Sequence, residues 1–574
     1  MKYYFNLYLR ILRLSPNRLK LKMAFVFILM LAASIAESFT IGAIYPLISV
    51  MLDPLSITNI SWITYLDSYT DITDPKKISI FIGSGFAIAA LLATALRMFS
   101  LYFNSMFAFE IGKYFGEGVV DRTFAKPYSD HIDENSSEVI IGISTKLEGM
   151  VLGVILPVLT LLSSIFITTT IIIMLLYVDT NMTLVTFLIF ATTYLLVFFI
   201  NRERISNVGR ILSRESVNFM RVLQEGLGGI RYVILEGIKN LFVNKFTESY
   251  SKWLLSKVHL QLISFLPRLV IEGLILLSIA VIAIYFTAVG GATEILAKLG
   301  VIAVAAQRLL PILQQIYTSI NAIKAHSPSS EDALDIFEKE TFLTESNRKI
   351  HKLDGDISIK NVTFKYKNNK NVLENINLEI KKGSKIGIKG ETGSGKSTLI
   401  DLIMGLHIPS SGQILVSGSL LNNTNISSWH LSIGHVPQHI YLFDDSVKSN
   451  ISFPASHQNI DMEHVKKVAK ICELEKTISV LKNGFDANVG EAGKKLSGGQ
   501  KQRIGIARAL YKKPSVLVFD EATSALDAET EKKIIDNIFS EFPNITLIMI
   551  SHKLSTLAKC DKVFEVKNKT ILPQ

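Results

Sequence analysis

From residue 390 to 397 the chain reads Gly-Glu-Thr-Gly-Ser-Gly-Lys-Ser. Glycines at this density let successive backbone N–H groups turn inward, and the lysine adds a point charge. The run Gly390, Glu391, Thr392, Gly393, Ser394, Gly395, Lys396, Ser397 and Thr398 is therefore a candidate cradle for nucleotide phosphates, with the Ser397 hydroxyl a candidate ligand for Mg²⁺. Such a loop works only between a strand and a helix. Lys385 to Lys389 reads as a short strand, and Ser397 to Met404 as the helix that follows.

Val516 to Glu521 is an apolar strand that ends on two carboxylates. Asp520 is placed to hold Mg²⁺, directly or through water, and Glu521 to accept a proton from an attacking water. A buried strand with a solvated acidic end would look the same in isolation; the companion motifs decide against it. A second apolar strand, Ile548 to Ser551, leads to His552, and Val436-Pro437 leads to Gln438. Leu496 to Gln500 reads Leu-Ser-Gly-Gly-Gln.

In this order and spacing the motifs resemble those of the ATP-binding-cassette (ABC) ATPases. The resemblance implies ATP and Mg²⁺ as cofactors and a second copy of the chain as partner. It implies that Ser497, Gly498, Gly499 and Gln500 of one cassette close over the nucleotide held by Lys396 of another. By the same resemblance Tyr366 stacks on adenine and Gln438 approaches Mg²⁺ and the water. His552 then contacts the γ-phosphate, and Asp527, in Ser524-Ala525-Leu526-Asp527, lies where two cassettes cross. Glu521, His552 and Gln438 form the catalytic set and Ser397, Gln438 and Asp520 the metal set. No catalytic position departs from the pattern, so both sites of a homodimer are expected to hydrolyse ATP. Val489 to Gly493 resembles the exporter-type segment that touches the membrane half.

The rest of the chain must position and load this engine. Of 574 residues, 49% are hydrophobic and 19% charged, a membrane-leaning composition. Long apolar runs fill the first 325 residues and then stop. Candidate spans fall at 23–50, 78–108, 150–177, 182–200, 260–288 and 295–324, each long enough to cross a hydrocarbon core. The first is too long for a signal-peptide core, so no cleaved leader is expected. The expected fold is a six-span helical domain (1–325), a polar linker (326–355) and a C-terminal α/β phosphate-loop NTPase domain (356–574). Segments 109–149 and 201–259 read as membrane helices continued into the cytosol. Ile60 to Tyr69 reads either as an interfacial amphipathic helix or as an ordered loop.

Lys2, Arg10, Arg13, Arg18, Lys20 and Lys22 flank the first span without an acid, which places the N-terminus and the cassette in the cytoplasm. The same flanks account for a net charge of +10 without nucleic acid. Cys472 and Cys560 are the two cysteines, which points to no disulfide framework.

Charges inside spans are costly and mark function by default. Here they are Glu37, Arg97, Arg268, Glu272 and Arg308. Arg268 and Glu272 are spaced to pair on one helix face, and Glu37 can meet an arginine of another span. Arginine still outnumbers acid, which suits a phosphate or pyrophosphate group. Three stretches resemble membrane segments of PglK-type flippases: Ser34 to Phe39 with Pro46, Phe265 to Gly273, and Gln307 to Pro311. Asn135 to Glu138 also fits. That resemblance implies a lipid-linked oligosaccharide carried on a polyprenyl pyrophosphate, substrate arginines Arg97, Arg268 and Arg308, and a bacterial inner membrane. The alternative is export of a peptide, toxin or drug-like amphiphile. With 22 residues ahead of the first span, no leader peptidase is expected. An ATPase acting on DNA or the ribosome is disfavoured by the spans.

Overall fold

The computed structural model describes residues 2–44, 75–133, 136–178, 180–289, 292–338, 352–366, 370–455 and 459–573. Ile60 to Tyr69, Pro46 and Asn135 lie outside them. The chain divides into two compact units: residues 1–125 with 134–341, and residues 126–133 with 342–574.

The first unit is helical. Its helices are α1 (Lys2–Leu14), α2 (Asn17–Gly42), α3 (Pro75–Phe124), α5 (Ser136–Met150), α6 (Leu156–Val178), α7 (Thr180–Gly228), α8 (Ile230–Leu235), α9 (Lys239–Val289) and α10 (Ala292–Glu338). A π-helical turn, Val151–Ile155, joins α5 to α6. Among the described residues, four helical stretches are long and apolar enough to cross a membrane: Asn17–Gly42, Ile80–Phe124, Gly142–Leu176 and Lys239–Leu274. The expected spans 182–200 and 295–324 lie on the continuous helices α7 and α10. α10 runs on to Glu338, through Pro328 and the polar stretch that reads as the start of a linker.

The unit is turned inside out relative to a soluble protein. Leu91, Met98 and Leu101 of α3 are exposed, while Ala93, Ser100, Asn104, Phe107 and Ile111 of the same helix are buried. Their spacing of three, four and seven makes one inward stripe, and the apolar outer face suits lipid. Met30, Ile111, Phe115, Met150, Ile155 and Leu334 form one core, and Ile41, Ile171, Ile271 and Ile312 another. Arg10 of α1 donates to Asp335 and Glu338 of α10 at 2.7 and 2.9 Å and ties the first helix to the last.

The second unit holds two sheets. β1 (Ile357–Lys365), β2 (Asn371–Ile380), β4 (Ser411–Val416) and β5 (Ser419–Leu420) form an antiparallel sheet in the order β2-β1-β4-β5. The other, in the order β10-β9-β3-β8-β7-β6, contains β3 (Lys385–Gly390), β6 (Ile433–Val436), β7 (Val516–Asp520), β8 (Thr546–Ile550), β9 (Lys562–Lys567) and β10 (Thr570–Pro573). Strands β6, β7, β8, β3 and β9 are parallel neighbours. β8 is buried along its whole length, which is why it reads as a continuous apolar run rather than an alternation. The C-terminal ends of β3, β6, β7 and β8 therefore share one edge, where open parallel sheets bind ligands.

One short helix, α4 (Tyr128–Asp133), follows α3 in the chain yet groups with the second unit. The Tyr128 ring lies 5.6 Å from the His407 ring, which also meets Phe364 and Tyr366.

Within the helical unit α7 and α10 approach backbone to backbone. A Cβ on Gly209 would stand 2.5 Å from the Ala325 carbonyl oxygen. Gly209→Val must spread the two backbones, and such overpacking costs roughly 1–3 kcal/mol. Thermal melting of the purified protein in detergent is expected several degrees below the wild type; an unchanged midpoint would show that these helices separate freely.

Candidate functional site

The phosphate loop leaves β3 and enters the helix Lys396–Met404, here α11. Gly393 (φ 81°) and Gly395 (φ 102°) hold left-handed backbone that a side chain would strain. A Cβ on Gly390 would stand 2.5 Å from the Val566 carbonyl oxygen. Lys396 is buried and donates to the carbonyls of Gly390 and Glu391 at 2.9 and 2.8 Å, so its ammonium is folded over the loop. Ser394 Oγ is buried with no hydrogen-bond partner. A charge and an unpaired hydroxyl over left-handed glycines fit a polyphosphate. Tyr366, part-exposed, hydrogen-bonds through its hydroxyl with Thr398 at 3.1 Å.

Three strand ends deliver the remaining groups. Asp520 closes β7; burial first, then Glu521, push its carboxyl up, and Lys396 draws it down. Glu521 sits at φ 50°, a conformation costly for a residue with a side chain. Its Oε2 accepts from Gln438 Nε2 at 2.8 Å, and its Oε1 lies 3.1 Å from His552 Nε2. Gln438 follows β6 and His552 follows β8, so three groups separated widely in sequence meet on one carboxylate. A proton acceptor so held can orient and deprotonate a water beside a phosphate.

Ser397 opens α11 behind Lys396. Together with Asp520 and Gln438 it offers the oxygen donors that Mg²⁺ prefers, with positions left for waters and phosphate.

The glycine-rich motif lies apart. Ser497 caps the helix Gly498–Tyr511, here α12, in a capping box with Gln500: Ser497 N donates to Gln500 Oε1 at 2.8 Å. Ser497, Gly498, Gly499, Arg503 and Asp527 line a cleft of about 450 Å³. Asp527 caps its own helix, Ala528–Glu541, by accepting from Thr530 N at 2.9 Å. Among the described residues no hydrogen bond or ion pair joins Ser497–Gln500 to the phosphate loop.

Sequence reasoning passed over three residues that organise this site. Glu531 is buried and accepts from Thr523 (2.7 Å), Thr556 (2.8 Å) and Lys553 (2.9 Å), fastening the chain after β7 to the chain after β8. Hydrogen bonds to a charged group contribute about 1.5–3 kcal/mol each. Gln502 donates to Ser524 Oγ and accepts from Ala525 N, tying α12 to the segment that holds Asp527. Asp401, on α11, is pushed up from 3.8 to about 6 by burial and by Asp520. None of the three belongs to a local pattern; only folding brings their partners near.

In the membrane half, Arg97 and Arg308 meet on one acid. Glu37 Oε1 accepts from Arg308 Nη1 at 3.0 Å and from Arg97 Nη1 at 3.3 Å. Arg268 stands elsewhere: its Nε donates to Glu272 at 2.8 Å and its Nη1 to Gln314 at 3.2 Å. The expected belt of three arginines is thus one shared pair plus one neutralised residue.

Residues 373–524 match the protein family described as ABC transporter. Over 241 residues the chain is 41% identical to the leukotoxin translocation ATP-binding protein LktB of Mannheimia glucosida, covering 42% of this chain and 34% of that protein. The LktB of Bibersteinia trehalosi is 40% identical over the same share of each. The chain thus spans about a third of the length of these relatives. The structure of a bacterial Atm1-family ABC exporter with ATP bound superposes with a TM-score of 0.76, 20% identity and coverage of 97% of this chain and 95% of that one. That likeness concerns the fold.

Asp401 gives a pH signature. Its folded value lies above its unfolded one, so the folded state holds the proton longer, and stability falls as pH rises from about 4 through about 6. Asp401→Asn is expected to raise the melting temperature at pH 8 and to change nothing below pH 4. A gain that is the same at both pH values would refute this.

Proposed function

We propose that this chain, in which an ABC transporter cassette is joined to a membrane half with an exporter's fold, is one half of an ATP-driven export machine made of two copies. The observation that carries the engine is Glu521 held between Gln438 and His552. In this reading the loop Gly390–Thr398 holds the phosphates and Tyr366 stacks on the base. Ser397, Asp520 and Gln438 hold Mg²⁺. Glu521 takes a proton from the attacking water, and His552 steadies the γ-phosphate. Bound Mg²⁺ would supply charge neutralisation on the transferred group.

The second copy is supported by the separation of Ser497–Gln500 from the loop it would have to cover. The helix dipole at the N-terminus of α12 would then aim at the partner's γ-phosphate. A further support is α8, whose Tyr232, Ile234 and Leu235 are 70%, 71% and 70% exposed in the single chain. An apolar helix tip of that kind suits burial against another protomer.

For cargo, Arg97 and Arg308 support an anionic headgroup. Two guanidiniums share one carboxylate, leaving a positive charge in each chain, and guanidinium binds phosphate in a fork geometry. The reading is a polyprenyl-pyrophosphate-linked oligosaccharide turned to the outer leaflet of a bacterial inner membrane, its tail remaining in lipid. A second reading, export of a protein toxin or peptide, is favoured by the LktB relatives, which are leukotoxin translocation ATP-binding proteins. That similarity covers 42% of the chain, and cassettes are alike whatever they drive.

Glu521→Gln is expected to bind ATP and to lose turnover by roughly 10²–10⁴-fold, the usual contribution of a general base. ATPase at the wild-type rate would remove Glu521 from that role. In liposomes, Arg97→Ala with Arg308→Ala is expected to stop flipping of the pyrophosphate-linked glycolipid, and Arg268→Ala to weaken it less. Undiminished flipping in the double variant would reject the headgroup reading, and a peptide transported equally well by both proteins would favour the second.

A further inference from the structure

Among the described residues of the membrane half, Glu37 is the most enclosed charge. Its side chain is 4% exposed, whereas those of Arg97 and Arg308 are 37% and 49% exposed. The carboxylate therefore sits behind the two guanidiniums, on α2, with one arginine reaching in from α3 and the other from α10. Both contacts fall on a single oxygen, Oε1, and each uses one N–H of Nη1. A guanidinium has five N–H donors in a rigid fork. Among the described residues neither arginine makes another hydrogen bond, so both forks keep most of their donors on the exposed side. A pair built for rigidity alone would be matched in charge and two-pronged. This one has two cations to one anion and is single-pronged on both sides.

We propose that Glu37 is the built-in competitor of the cargo. The anionic group takes over the spare donors of Arg97 and Arg308 while Glu37 retains part of their charge, and so Glu37 sets how tightly the cargo is held and how readily it leaves. This rests on the headgroup reading and deepens it. A transport site must bind strongly enough to load and weakly enough to release. With Glu37 charged, a pyrophosphate meets one surplus positive charge per chain; with Glu37 neutral it meets two, in a medium where each charge counts for more than in water. Glu37 touches the arginines and not the cargo, which makes it a positioning residue. Ser34 and Thr40, its buried neighbours on α2, hydrogen-bond to backbone carbonyls and bring no charge to the site.

The test uses the full chain in nanodiscs, with farnesyl pyrophosphate and inorganic pyrophosphate as probes. Dissociation constants are measured for the wild type, Glu37→Gln, Glu37→Asp and the Arg97→Ala/Arg308→Ala double variant. Glu37→Gln is expected to bind about tenfold tighter, since removing an opposing charge at contact distance is worth that order. Glu37→Asp, with its carboxylate drawn back by one methylene, falls between it and the wild type. Glycolipid turnover in liposomes is expected to drop in the order of tightening. If the double variant loses binding while Glu37→Gln and Glu37→Asp bind as the wild type or more weakly, the headgroup reading stands and the competitor role is overturned. If the double variant binds as the wild type, the headgroup reading itself fails. Should Glu37→Gln not fold, an unshifted Glu37→Asp constant is sufficient to overturn the proposal. A simple structural strut would lower the melting temperature without tightening either probe. Tighter binding of either probe supports the competitor role, and the probe held more tightly identifies a lipid-linked or a soluble anion as the source.

Discussion

Glu521 leaves the end of β7 with its backbone at φ 50° and its carboxylate gripped by Gln438 on one side and His552 on the other. The rest of the cassette serves to keep it there. Parallel strands β6, β7 and β8 bring the three residues to one edge, with Val436 paired to Phe519 and Asp520 to Ile550 at their ends. Behind that edge Glu531 gathers Thr523, Thr556 and Lys553 around a second, buried carboxylate. One acid is satisfied from all sides and acts as a fastener. The other keeps lone pairs free at a strained position, the form in which a folded protein stores reactivity.

The membrane half faces a different problem, because its surroundings are apolar and its interior, besides two apolar cores, buries polar side chains. Ser100, Asn104, Thr168 and Asn321 each bury a side-chain oxygen without a partner among the described residues. In a dry bundle each such atom costs free energy. Buried polar atoms of this kind on helices with apolar outer faces suit an interior that meets water or a polar guest.

The cassette was legible from sequence in unusual detail because its chemistry is done by short runs: a glycine loop, strands that end on acids, a histidine one step beyond Ser551. Runs report local geometry, and parallel strand order carries their ends to one place. What local pattern does not report is choice of partner. Periodicity places Glu37, Arg97 and Arg308 on helices, and spacing alone pairs Arg268 with Glu272 on one face, but neither says that two arginines converge on one acid. Glu531 reads as an ordinary helix-surface glutamate until Lys553 and Thr556 arrive from the segment after β8. The polar run around Ser327 to Ser330 reads as a linker, yet it is helical, its serines buried against the bundle and bonding back to the carbonyls of Ile323 and His326.

The short helix Tyr128–Asp133 is drawn from the middle of the membrane half but counted with the cassette. Tyr128 packs its ring against His407, which in turn meets Phe364 and Tyr366. A second unit severed from the first 341 residues would therefore lose a piece of its own surface and bare the His407 ring beside Tyr366. Nucleotide affinity and aggregation measured on such a fragment would describe an incomplete domain, and the boundary of the ATPase in space is not its boundary in the gene.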